Sequence, residues 1–148
     1  MSLSMPRALG VLLRLIAATV LACAAPPAAA PAATPTASAG AVHYTTVDAS
    51  TQPAGSILVE MSSYAFKPTE IPTSAGKVVF YLVNISKEAH SMALRNPAVS
   101  ILNVVALSAN VEAGKAAIFT IDNLPIAVYR VNCPIGGHGD MTATVTVR

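Results

Sequence analysis

The chain has no tryptophan and only three phenylalanines and four tyrosines, so its core is expected to be aliphatic. Charge of one sign is also missing. Two of the nine basic residues, Arg7 and Arg14, lie at the far N-terminus; the other seven face seven acidic residues. A near-neutral domain without a basic patch excludes nucleic acid as a partner. Cysteine is scarce: Cys23 falls in the N-terminal segment, which leaves Cys133 alone in the rest of the chain. One thiol cannot form an internal disulfide, and an unpaired thiol in an exported domain calls for an explanation. A buried inert cysteine is the bland one, but the neighbours of Cys133 point elsewhere. No long helical pattern and no internal repeat occurs.

The N-terminus reads as an export signal, residues 1–23. Arg7 and Arg14 form a positive region ahead of the apolar run Leu15 to Ala22, which is too short to span a bilayer as a mature helix. Val20-Leu21-Ala22-Cys23 resembles a bacterial lipobox, in which Cys23 becomes the lipidated first residue and ties the protein to a membrane. Ordinary cleavage at Ala22-Cys23-Ala24 or Ala28-Ala29-Ala30 is the alternative. Both place the protein outside the cytoplasm, in the periplasm or at the cell surface. Residues 24–41 are almost all Ala, Pro, Thr and Ser, a composition that suits an extended tether. The remaining residues 42–148 have the length of a single domain.

Strand signals dominate this domain. Ile57 to Met61 is rich in β-branched and apolar residues, and Val78 to Asn84 is a continuous apolar run suited to a buried central strand. Ala117 to Ile121 is another strand. From Ala127 to Cys133, Tyr129, Val131 and Cys133 share one face while Val128, Arg130 and Asn132 share the other. The last strand puts Met141, Ala143, Val145 and Val147 inward and Thr142, Thr144 and Thr146 outward. Residues 98–113 fit either an irregular strand or one helical turn. The pattern predicts an all-β, antiparallel sandwich.

The segment Tyr129-Arg130-Val131-Asn132-Cys133-Pro134-Ile135-Gly136-Gly137-His138-Gly139-Asp140-Met141 gathers a thiolate, an imidazole and a thioether. His90 lies upstream at the end of another strand-like run. Two His, one Cys and a weak axial Met form the ligand set of a mononuclear blue-copper site. Soft sulfur suits Cu(I) and imidazole suits Cu(II), so the mixed set serves both states without rebuilding. Gly136 and Gly137 are read as loop-closing glycines with positive φ, Tyr129 as core packing and His43 as a solvated residue. Asn84-Ile85-Ser86 matches a glycosylation sequence, which a bacterial-style leader makes a weak signal.

These residues resemble the cupredoxins, the plastocyanin and azurin family, over nearly the whole domain. The likeness rests on Tyr64 to Pro68, Gly76 to Phe80, Asn84 followed by His90, Tyr129 to Cys133, and the Cys133…His138…Met141 loop. It implies a Greek-key sandwich of about eight strands that binds one copper ion. His90 and His138 would be the imidazole ligands, Cys133 the thiolate and Met141 the axial sulfur. Four residues separate Cys133 from His138, as in azurin, but only two separate His138 from Met141, as in amicyanin-like loops. The carbonyl of Ala89 is the alternative axial group. Ser91 stands where many members have an Asn bonded to the thiolate sulfur.

The resemblance implies a monomeric electron carrier, not an enzyme. Redox protein partners would dock near His138, on an uncharged loop with Met92 and Leu94 extending an apolar rim, and net neutrality would make docking weakly salt-dependent. A copper-delivery protein is the alternative reading; the scattered methionines disfavour it. The chain has no second nearby cysteine for a dinuclear copper centre and no second ligand set for an oxidase.

Overall fold

In the computed structural model of the chain, the described residues are 38–148. The export signal, Cys23 and most of the tether lie outside them. Ten strands follow in order: β1 (Val42–Val47), β2 (Ile57–Ser62), β3 (Ala65–Lys67), β4 (Glu70–Thr73), β5 (Gly76–Asn84), β6 (Ala93–Arg95), β7 (Val104–Leu107), β8 (Ala116–Leu124), β9 (Ala127–Asn132) and β10 (Thr142–Val147). They form two five-stranded sheets, ordered β1-β8-β5-β2-β3 and β4-β10-β9-β6-β7. No helix occurs among the described residues.

The sandwich is not purely antiparallel. β2 pairs with β5 in parallel, and β10 pairs with β4 in parallel. The reason lies in the chain path. After the β2–β3 hairpin the chain crosses to the second sheet as β4, then returns as β5 on the other side of β2. That crossover brings β5 back in the direction of β2. Alternation along one strand reveals which face is buried but not the direction of its neighbour.

The open segment 98–113 resolves into turns up to Leu102 followed by β7, with Ile101 71% exposed. The alternations read for β9 and β10 hold. Tyr129, Val131 and Cys133 are buried, as are Met141, Ala143, Val145 and Val147. The core is mostly aliphatic and takes in a few aromatics. Phe66, Phe80, Phe119 and Tyr129 are all fully or almost fully buried. Phe80 and Phe119 are register partners on β5 and β8 and stack with ring centroids 5.9 Å apart. A low aromatic count does not say where the few aromatics go. Here all three phenylalanines, whose large apolar surfaces gain most from leaving water, are fully buried.

Phe119→Ala should lower stability by about 3–5 kcal/mol, the usual range for truncating a buried phenylalanine. Ile101→Ala should stay within about 0.5 kcal/mol. Urea unfolding midpoints of the two variants would check the contrast.

Candidate metal centre

The loop after β5 is held by one side chain. Asn84 is fully buried. Its amide nitrogen donates to the carbonyls of Glu88 (2.7 Å) and Val111 (2.8 Å), and its Oδ1 accepts from the Ser86 backbone N–H (2.9 Å) and hydroxyl (2.8 Å). All four hydrogen-bonding positions of the amide are therefore used. This rules out sugar attachment at Asn84 in the folded domain. The same clamp leads into His90, whose backbone exchanges two hydrogen bonds with Val111, at 3.1 and 2.7 Å.

The second loop is tied through its backbone. The Cys133 N–H donates to the Met141 carbonyl (3.2 Å), the Met141 N–H to the His138 carbonyl (3.0 Å), and the His138 N–H to the Ile135 carbonyl (3.1 Å). Three of the candidate ligands are thus linked before any side chain is considered. Gly137 turns the loop with φ +87°, a conformation that favours glycine. Gly136 does not adopt positive φ, contrary to expectation.

The two loops bring His90, Cys133 and His138 together. Their donor atoms all lie within 4.8 Å of one another, and all three residues are buried. The two Nδ1 atoms are 3.1 Å apart, and Cys133 Sγ is 3.5 Å from His138 Nδ1. A proton can bridge one such pair at a time, whereas a cation accepts all three lone pairs. With bonds of about 2.1 Å to nitrogen and 2.3 Å to sulfur, as at zinc, these two short separations would subtend roughly 95–105° at a shared ion. His90 Nε2 is buried without any hydrogen-bond partner. An unsatisfied buried group costs about 1–3 kcal/mol, so this ring is held at a cost for what its Nδ1 does. The donor set fits a metal ion. Met141 is fully buried at the head of β10. His43 stands apart, at 2.8 Å from exposed Asp122.

Two residues that sequence reasoning did not assign to the centre complete it. The Glu88 carboxylate lies 3.3 Å from His138 Nε2. The Tyr64 ring meets the His138 ring edge-on at 5.1 Å, and its hydroxyl donates to Glu88 at 3.4 Å. Tyr64 holds φ at +61°, a left-handed conformation that costs a non-glycine residue on the order of 1–2 kcal/mol. His138 is therefore 6% exposed and covered by a carboxylate, where an open uncharged loop was expected. Met92 and Leu94 are fully buried and form no rim, because both turn into the core. Ser91 is buried, but its hydroxyl makes no hydrogen bond to Cys133 among the described residues. The position of Glu88, two residues before His90, hinted at proximity to the first histidine. Nothing local to it points to His138.

Comparison with solved structures places the fold. Auracyanin A, described as a "blue" copper protein from Chloroflexus aurantiacus, is 21% identical with a TM-score of 0.54, covering 64% of this chain and all of its own. Auracyanin B is 22% identical at a TM-score of 0.56, covering 74% of this chain and 99% of its own. A reduced amicyanin variant is 14% identical at a TM-score of 0.55, covering 72% of this chain and 98% of its own. No protein-family model and no curated protein sequence matches the chain. The domain has the all-β sandwich fold of the cupredoxins, the class to which these blue copper proteins belong.

Burial, the nearby His138 and, in the opposite sense, Glu88 act on His90; burial dominates and holds its imidazole below the ordinary value of 6.5. The folded state then favours neutral His90 while the unfolded chain takes up a proton more readily. This contribution to stability is present above pH 6.5 and is lost as pH falls from there towards the lowered folded value. Metal-free protein should therefore unfold at lower urea concentration at about pH 5 than at about pH 7. His90→Gln should reduce that difference.

Proposed function

We propose that His90, Cys133 and His138 hold one copper ion, with Met141 as the axial sulfur, and that the protein carries single electrons between redox partners outside the cytoplasm. The observation that carries this reading is the convergence of two imidazole Nδ1 atoms and one cysteine sulfur in a buried, strand-anchored cluster. When bound, copper supplies the exchange between Cu(II) and Cu(I).

The protein's own contribution is to keep the donors still. His90 is fixed by Val111 and the Asn84 clamp, and Cys133 and His138 by the backbone bonds of their shared loop. Donors set on strand ends and bonded loops need not move when charge changes, which keeps the reorganisation cost of electron transfer low. Burial keeps water from the Cys133 sulfur, which faces His138 and has no second cysteine among the described residues to pair with in a disulfide. Glu88 fixes the outer nitrogen of His138, as a carboxylate behind a ligating histidine does at other metal sites. The extracytoplasmic location rests on the N-terminal signal pattern. Partners would approach the loop that carries His138.

Addition of Cu(II) to the purified protein should produce an intense visible thiolate-to-copper absorption band. Cys133→Ser should abolish that band, and Met141→Leu should keep a blue band with an altered reduction potential. A colourless protein, or a band indifferent to Cys133, would refute the blue-copper reading.

A further inference from the structure

The outer face of the second sheet carries an uncompensated charge pair. At one register level the sheet presents Val104 on β7, Arg95 on β6, Arg130 on β9, Thr144 on β10 and Glu70 on β4. Arg95 and Arg130 stand directly opposite each other, an arrangement that destabilises a sheet. Neither guanidinium lies within 4.0 Å of a carboxylate among the described residues. The acid in that row, Glu70, is two strands from Arg130, with Thr144 between them.

The pair is also pre-set. Arg95 Nε donates to Asn132 Oδ1 at 2.8 Å, and its Nη1 donates to the Leu102 carbonyl at 3.2 Å. That fixes the plane of the guanidinium and leaves its remaining N–H groups without a protein partner. Arg95, Arg130, Pro97, Ile101, Asn132 and Gly139 line a groove of about 210 Å³. Asn132 is the residue before Cys133, and Gly139 is the residue after His138. Ile101 and Leu102 leave apolar surface exposed alongside. Arginine beside apolar surface is the composition enriched in protein interfaces.

Resting on the electron-carrier reading, we propose that this groove is the docking face for an acidic surface of the redox partner, whose carboxylates the two arginines receive. Charge complementarity selects this occupant. In a domain of balanced charge, two opposed arginines with no carboxylate within 4.0 Å among the described residues form a local positive field, and such a field selects and orients a negative partner. The face meets the metal loop at Asn132 and Gly139, so a partner seated there lies one residue along the chain from two of the ligands. Net neutrality suggested docking that barely responds to salt; the segregation of charge on this face predicts a measurable salt response instead.

The test uses the purified full chain and an oligoglutamate peptide, followed by amide NMR. Saturable shifts at Arg95, Arg130, Asn132 and Gly139 are expected, weakened about tenfold in Arg130→Gln, by the scale of electrostatic steering. Lys77→Gln, on the opposite sheet, should leave them unchanged. Shifts centred elsewhere, or affinity indifferent to Arg130, would overturn the proposal. Binding to phosphatidylglycerol vesicles without binding to the peptide would also overturn it, in favour of a membrane surface. In copper-loaded reduced protein, Arg130→Gln should slow oxidation by anionic hexacyanoferrate(III) while leaving cationic tris(phenanthroline)cobalt(III) unaffected. Peptide binding does not require copper. A colourless protein that still binds the peptide removes the carrier reading alone, and a blue protein that ignores the peptide removes the docking face alone.

Discussion

Two imidazole nitrogens 3.1 Å apart, with a thiolate sulfur 3.5 Å from one of them, must be held facing each other inside a dry core. Left alone, such donors would separate and hydrate. They stay because each is fixed by bonds that do not involve the site. His90 is bound through its backbone to Val111, and the Asn84 amide ties the loop before it to the same Val111 carbonyl region. Cys133, His138 and Met141 are bound to one another through their shared loop. The two sheets supply the rest. β5 delivers Asn84, β9 delivers Cys133 and β10 begins just after Met141, so the donors inherit the rigidity of packed strands. The orphaned Nε2 of His90 shows that the fold accepts a local loss to hold this arrangement.

Much of this was legible in the sequence because it depends on local periodicity and on side-chain chemistry. The alternation on β9 and β10 follows from a two-residue repeat, and it puts Cys133 and Met141 on the inner face without reference to any partner strand. His138 is marked by its glycine-flanked place in the same short loop. The parallel pairings of β2 with β5 and β4 with β10 were not legible, because direction is decided by a crossover between sheets. Burial of Met92 and Leu94 was missed for a related reason. β6 is only three residues long, too short to show its periodicity, and Met92 just before it and Leu94 on it both turn into the core between the sheets. Composition foretold a mostly aliphatic core, but not that all three phenylalanines would be fully buried in it.

Glu88 and Tyr64 illustrate a tertiary effect that no local pattern reports. Tyr64 sits in the β2–β3 turn in a strained conformation, and Glu88 in the loop that Asn84 clamps. They meet each other over His138, which is 50 positions beyond Glu88. A carboxylate at Nε2 favours the tautomer with its proton on that nitrogen, which leaves Nδ1 free to face Cys133 and His90. The surface charge thus does its work through the ring, by setting which nitrogen points inward.

That cover changes how the centre relates to its surroundings. With His138 capped by Glu88 and Tyr64, its edge offers a partner a carboxylate and a phenol, not bare imidazole. On the other flank, Asn132 and Gly139 lead from the same loop to two arginines with no counter-charge. Charges of opposite sign therefore lie near the two ends of this loop's contacts, although the domain as a whole is neutral. Under the proposed docking, a partner surface with acidic groups would be repelled by Glu88 and attracted by the arginines, so approach would be oriented without strong overall attraction. Short-lived complexes need this combination: the encounter is steered, while the small net charge keeps the partners from remaining bound.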